Sequence, residues 1–504
     1  MQLADRRISL DPSPKAVQGS DLEVVFVGHC PGRCRWRRLS AEARDEIRLL
    51  GYGRRIRLLE EESPAEEPDL FHLPLPIRSL ADFEALFPDA RTTPTRYTSR
   101  LAGDRAWLPV ALEHFFTASG ELPSGANRIW VIPVPEDPEP EVVEQDASLE
   151  AFLPKRQRVD LSQPEGLQGA EAALLIPAAG LLVLPDLERI SIPRSVENPH
   201  RVRLANPDPG FTPCSSRYDD SHRERNNPDE MEGAEEPITF TSTLLQLSVL
   251  LDRYRPDMQA LLPLPISSSQ ELKSGRLNSG TLALVQTAID KGLPLHRLQL
   301  LYPYLRQPDL SLTTPSGALA GTIARVTHKL GPWRSVAGRP LAPALPPFPS
   351  LSIPYAAQLR DKPGLGILVN RQGKLMLDDE RLAATDLSNR RYSRSAEAVR
   401  FMGFLVRSLR RLGEQLVFNV DPQDPRPRMV LEDFFTRLHE RGALAGANPE
   451  DAFTISQLPV GSSENHLEFE IEISPALPID HIRLTFSHSR NPDQPDWRLE
   501  VQSG

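Results

Sequence analysis

Residues 21–28, DLEVVFVG, contain a β-branched apolar run closed by glycine, which predicts a buried strand. Helical spacing follows over 40–50, and the short run 55–59 reads as a further strand. Over 76–88, PIRSLADFEALFP, a helix is predicted from near Ser79: the serine hydroxyl accepts from free first-turn amides, while Leu80, Phe83 and Leu86 or Phe87 recur on one face. Residues 110–116 repeat a helical pattern, and 128–134, RIWVIPV, predict a strand stopped by proline.

The middle of the chain alternates burial signals with polar excursions. Residues 133–144 are acidic and proline-rich and read as an extended connector. Within 170–186, LLIPAAGLLVLPD predicts a buried strand ending at Pro185 and Asp186, whereas 206–237 are so polar that a long surface loop is expected. A helix returns over 243–255, with Leu244, Leu247, Leu250 and Leu251 on one side. Six prolines between 340 and 354 exclude a regular helix or central strand there, because each removes a backbone donor and restricts φ.

Beyond that stretch regular patterns resume. Residues 367–370 and 374–377 flank Arg371-Gln372-Gly373, a hairpin signal. Val399, Met402, Leu405, Leu409 and Leu412 predict a long helix over 395–412, followed by a strand at 415–420 and a helix over 430–441 stopped by Gly442. LEFEIEI at 467–473 alternates strictly, and two further alternating segments, 481–486 and 496–501, close the chain. A multi-domain chain of mixed α/β class is expected.

Composition narrows this picture. With 504 residues, roughly three domains of about 150 residues each are expected, each able to bury a core without cross-links. Proline, at 50 residues, is about twice as frequent as usual, which suits many short elements joined by stiff connections. No apolar run reaches the ~18 residues of a membrane span, and the first residues lack the order of a secretory signal, so folding in the cytoplasm is expected. Cys30, Cys34 and Cys214 are too few for a disulfide framework. His29, Cys30 and Cys34 lack a second paired motif to complete a zinc site, so no metal is expected.

Enzyme signatures are missing. Gly51-Tyr52-Gly53 has no third glycine, and neither a phosphate-binding GxxxxGK[ST] nor a G-x-S-x-G elbow occurs. Asp480 beside His481, and the pairs Asp219-Asp220 and Asp378-Asp379, have no second motif for nucleophilic, acid-base or metal chemistry. No catalytic residue, cofactor or metal ligand is assigned. Charge is uneven: 58 basic against 68 acidic residues leave the chain at −10, yet residues 390–411 carry seven arginines (390, 391, 394, 400, 407, 410, 411) against Glu397. Such a cluster is either a solvated face or a docking surface for an acidic partner; because the chain as a whole is acidic, nucleic acid is not expected as the partner.

In one region the order of residues is more specific. TPSGALAGTIARVTHKLGPWRSVAGRP at 314–340, with Pro315, Ser316, Gly317, Ala320, Gly321, Arg325, Gly331 and Trp333, resembles the segment that opens the C-terminal domain of contractile tail sheath proteins. Asn389-Arg390-Arg391, the Val-Phe strand before Pro422, RGALAG at 441–446 and LEFEIEISPALPIDHIRLTF are similar to later landmarks of that family, and SLADFEALFP, EHFFTASG with RIWVIPV, and LLVLPD to earlier ones. The family's usual opening arm motif, PGVY-x-E-E, has no counterpart in MQLADRRISLDPSPK.

The resemblance implies a structural subunit polymerising as stacked hexameric rings around an inner tube and contracting to drive that tube through a target envelope. It implies an inner domain built from 20–135 and 355–504 after an N-terminal extension at 1–20, with 145–335, including the polar loop 206–237, inserted as outer domains. Arg400, Arg407, Arg410 and Arg411 are the candidate tube-facing charges. The terminal arm 490–504, with Trp497, Leu499 and Val501, is the candidate inter-subunit strand, alternatively an ordinary last strand of its own sheet. Partners implied are further copies or paralogues, the tube protein, and baseplate and cap proteins, in a particle assembled in the cytoplasm. Two other readings remain: a terminal or baseplate-proximal ring that caps the array, and a cytoplasmic enzyme with a deep polar pocket.

Overall fold

A computed structural model describes residues 22–61, 69–120, 122, 128–136, 145–194, 196, 238–383, 394–416, 425–457, 466–476, 482–489 and 497–503. The first part contains β1 (Glu23–His29), α1 (Ala41–Ile47), α2 (Gly53–Glu61), β2 (Leu75–Ile77), α3 (Leu80–Leu86), β3 (Pro94–Ser99), β4 (Gly103–Arg105), α4 (Leu108–Ser119) and β5 (Ile129–Val134). Next come α5 (Gln145–Phe152), β6 (Ala179–Val183), α6 (Pro185–Ile190), α7 (Ile238–Tyr254), β7 (Gln259–Pro263), α8 (Ser269–Ser274), α9 (Ser279–Asp290), β8 (Leu298–Tyr302), β9 (Tyr304–Arg306), β10 (Leu312–Thr313) and α10 (Ser316–Leu330). The last part has β11 (Pro347–Phe348), α11 (Ile353–Asp361), β12 (Gly366–Arg371), β13 (Lys374–Leu377), α12 (Ala396–Leu416), α13 (Arg426–Glu440), α14 (Pro449–Ala452), β14 (Phe453–Gln457), β15 (His466–Ile473), β16 (Ile482–Ser489) and β17 (Trp497–Ser503).

One eight-stranded sheet runs in the order β13-β12-β8-β7-β6-β1-β5-β2. Its six inner strands are parallel, and only the edge strands β13 and β2 are antiparallel to their neighbours. Period-two alternation divides each strand between two cores. Val24 and Phe26 join Val131, Leu181 and Val183 on one face, whereas Val25 and Val27 join Trp130, Ile132 and Leu182 on the other. Helices α4 and α10 cover the first face, and α5, α7 and α11 the second. Burial on both sides is why these strands read as continuous apolar runs.

Local signals explain many boundaries. Ser40 and Ser79 accept from Ala43 N and Asp82 N and so start α1 and α3. The hairpin expected at Arg371-Gln372-Gly373 closes between β12 and β13 as a two-residue turn, with Gln372 and Gly373 both at positive φ and Arg371 in the strand. A third core lies outside the large sheet: Trp333, Phe401, Phe404 and Leu405 pack with Phe434, Phe435, Phe469 and Ile471 beneath the antiparallel sheet β14-β15-β16-β17.

Several expectations change. Residues 55–59 are helical within α2, with Ile56 and Leu59 buried, because the apolar side chains recur at three residues rather than two. Residues 145–335 do not form a separate insertion beside 20–135: β6, β7 and β8 lie between β1 and β12 in one sheet, where strands apolar on both faces must sit. The long helix α12 runs on to Leu416, over part of the strand expected at 415–420. The rest of that strand, residues 137–144, the loop 206–237, Asn389-Arg390-Arg391 and His481 lie outside the described residues.

Candidate functional site

Parallel sheets of this kind hold ligands at the carboxyl ends of their strands, where the strand order reverses. Here the reversal lies between β1 and β6, flanked by β5 and β7. Proline and aspartate end the apolar run of β6, and Asp186 enters the first turn of α6 fully buried. Its carboxylate accepts from four donors: His29 N at 2.9 Å, Trp107 N at 2.8 Å, Leu108 N at 3.1 Å and Arg189 Nε at 3.0 Å. Two of these are at the start of α4, where a negative charge is favoured by the helix dipole. Arg189, also fully buried, donates to Thr95 Oγ1 at 2.8 Å and to the Tyr97 carbonyl at 2.7 Å, pinning β3 over the strand ends.

His29 completes this cluster. Burial lowers its pKa to about 4, opposed by Asp186 and assisted by Arg189, so the imidazole is neutral at pH 7. Arginine has no acceptor, so His29 Nδ1 accepts from Arg189 Nη2 at 3.2 Å. The crevice that an open sheet offers to a ligand is thus filled by side chains that satisfy one another. Sequence reading missed Asp186 and Arg189: the signal was an acid directly after a buried strand, at a helix start.

The resemblance motif lies alongside. Pro315 is the N-cap of α10, and Ser316 Oγ donates to Glu188 Oε1 at 2.8 Å. Burial pushes the Glu188 carboxyl up to about 8, against the opposing hydrogen bonds from Thr314 and Ser316. Gly317 and Gly321 face α4 so closely that a Cβ at either would stand 2.3 Å from a backbone oxygen, of Ala111 and Phe115 respectively. Arg325 donates to the Pro340 carbonyl at 3.3 Å at the surface. Gly331 takes φ +102° and lies against the Trp333 ring, which meets Phe401 and Phe404 edge-on with centroids 5.8 and 6.5 Å away. These motif residues therefore join α10 to α4 on one side and to the third core on the other.

Arg400 and Arg407 do not face solvent, which corrects the expectation that they meet a tube. Both are buried: Arg400 pairs with Glu380 at 3.1 Å and donates to the Pro332 and Arg334 carbonyls, and Arg407 pairs with Asp257 at 3.7 Å. Asp257 is also held by Arg255 at 2.8 Å, and its carboxyl lies below the ordinary range because these arginines outweigh its burial. The i, i+7 arginines of α12 dock the helix against the segments that follow α10 and β13 and the one that precedes β7, while Arg410 is half-buried and Arg411 exposed.

No protein-family model and no curated protein matches this sequence. Among solved structures, a chain of the anti-feeding prophage (AFP) baseplate, symmetrised 6-fold, matches with a TM-score of 0.52 at 16% identity, over 92% of this chain and 91% of that one. A chain of the AFP helical sheath in its contracted state matches with a TM-score of 0.51 at 14% identity, over 91% and 90%. The chain has the contractile-sheath fold.

Within this sheath fold the last strand pairs in its own chain. Antiparallel β17 registers Trp497 with His488, Leu499 with Phe486 and Val501 with Leu484 of β16. It is the outermost strand of its sheet, so its second edge has no strand partner among the described residues. Three surface cavities elsewhere have volumes of about 380 to 500 Å³, and the largest of the four described, about 770 Å³, lies between α8, α9 and α11 beside Glu271. No group of three or more His, Cys, Asp or Glu suited to a metal occurs among the described residues, and no described helix is long and apolar enough to cross a membrane.

Proposed function

We propose that this chain is a structural subunit of a contractile sheath, assembling with copies of itself as stacked hexameric rings around an inner tube and shortening to drive that tube forward. The observation that carries this reading is the likeness over nine-tenths of both chains to the contracted AFP helical sheath. The interior suits a mechanical role: helices joined to one another at close-packed glycines, and held by buried ion pairs, form a stiff body that transmits displacement. The outermost β17 suits the linking role, since adding or exchanging a strand through main-chain hydrogen bonds keeps bodies joined while they slide. We assign the contact with the tube to the exposed end of α12 at Arg410 and Arg411, and we assign no catalytic step to this chain.

A second reading, a ring that caps the array at the baseplate, is favoured by the equal likeness to a chain of the AFP baseplate. Negative-stain electron microscopy of the chain produced with its neighbouring particle proteins, beside a variant truncated after Ser489, separates the two. Ribbed cylinders lost on truncation support a propagating sheath subunit, and single rings at a cylinder end support the cap. Dispersed monomers under all assembly conditions refute both.

A further inference from the structure

The loop after β1 presents a concentrated positive charge at the surface. Residues 30–39 contain Arg33, Arg35, Arg37 and Arg38 and no acid, in a chain of net charge −10. All four arginines are exposed, while Trp36 and Leu39 between and beside them are buried in the core. The loop is rigidly seated: Arg35 N donates to the Leu86 carbonyl at 2.8 Å, Leu39 N to the Trp36 carbonyl at 2.9 Å, and the Arg44 guanidinium lies 4.9 Å over the Trp36 ring. At Gly32, φ is +91° and a Cβ would stand 2.7 Å from Asp89 Cβ. Arg33 pairs with Asp89 at 2.9 Å, whereas Arg35 and Arg38 make no ion pair within 4 Å among the described residues. A charged platform held in place before contact loses little conformational entropy on docking.

The opposite charge stands on the third core. Glu440 ends α13, where the helix dipole disfavours an acid, and Glu450 and Asp451 lie on the adjoining α14. All three are exposed, and none has an ion pair among the described residues. The arginine loop belongs to the α3 side of the large sheet and the acidic corner to the separate core under β14 and β15, and no described ion pair joins them within the chain. We propose that the arginine loop of one copy docks on the Glu440, Glu450 and Asp451 corner of a second copy. Such a contact uses different surfaces on its two sides, so it repeats head to tail and generates rings or helices rather than closed dimers. The buried position of Trp36 removes the aromatic face that a single-stranded nucleic acid would stack on, leaving an acidic protein surface as the better match. This inference rests on the self-assembling sheath reading and specifies which surfaces meet.

The test compares the full-length protein with Arg35→Glu/Arg38→Glu, with Glu450→Arg/Asp451→Arg, and with the fourfold variant combining them. Self-association is followed by sedimentation velocity at about 0.05 M and about 0.5 M salt, where screening is weak and strong. Each double variant is expected to raise the concentration for half-assembly by about tenfold or more at low salt. The fourfold variant restores assembly, and the differences shrink at high salt. All positions are exposed, so melting temperatures remain within a few degrees and report that folding is intact. A fourfold variant that assembles no better than the double variants, or double variants that assemble like the parent, overturns the contact while leaving the sheath reading in place. Binding of a labelled ~20-nucleotide DNA by the parent and not by Arg35→Glu/Arg38→Glu at the same salt makes the loop a nucleic-acid surface and overturns it too. A parent chain that never associates refutes the sheath reading and this contact together.

Discussion

Replacing Gly321 by alanine sets two known effects against each other. Inside a free helix the change stabilises by about 1 kcal/mol, because alanine loses less backbone entropy on folding. In α10 the new methyl would stand 2.3 Å from the Phe115 carbonyl oxygen and 2.9 Å from Ala118 Cβ. Ordinary contact begins near 3.4 Å, so α4 and α10 must part by about 1 Å along a contact that also includes Gly317 against Ala111. Overpacking of this kind costs about 1 to 3 kcal/mol, and the obstacle is a backbone carbonyl that cannot rotate away, which places the cost at the upper end. A net loss of about 1 to 2 kcal/mol is expected. Gly53→Ala in α2 is the control: nothing lies within 4 Å of its added methyl, so it is expected to be neutral or to stabilise by up to about 1 kcal/mol. Urea unfolding followed by tryptophan fluorescence reads both, since Trp107 is at the start of α4. If Gly321→Ala raises the urea midpoint as Gly53→Ala does, the helices do not touch as described and the packing role of the motif fails.

Other expectations follow from the buried charges. Glu188 has its native pKa raised to about 8, so the native state keeps a proton that the unfolded chain releases above about pH 4.5. Its effect on stability is therefore neutral at lower pH, becomes unfavourable as pH rises from about 4.5 and is complete above about 8. Glu188→Gln is expected to match the parent near pH 4.5 and to melt higher near pH 8.5; equal melting curves across that range would falsify the assignment. Arg400→Leu leaves Glu380 buried without its cation and is expected to cost about 3 to 5 kcal/mol in urea unfolding, whereas Arg411→Ala, at an exposed position, changes stability by less than about 0.5 kcal/mol. In a tube-binding assay, Arg411→Ala is expected to weaken attachment, with an effect that fades as salt is raised.

Much of this protein is legible from local pattern. The buried strand at 21–28, the helix start at Ser79, the hairpin at Arg371-Gln372-Gly373 and the alternation of 467–473 are decided by residues within a few positions of one another, because caps, turns and pleat are local physics. The run 55–59 shows the limit of that approach, since five residues fit a period of two or of three and only the packing of Ile56 and Leu59 chooses the helix. Gly317 and Gly321 were visible as a spacing, while the backbone they press on is in α4, some two hundred residues earlier. Arginines along α12 read as a surface charge, yet Arg400 and Arg407 are inside because Glu380 and Asp257 meet them, the latter 150 residues away in the chain. Sequence alone determined where most strands and helices lie and which residues carry charge, but not the choice between periods in a run as short as 55–59. Tertiary structure decided which charges are buried and which strands share a sheet, because burial of an ion depends on the partner that the fold brings to it.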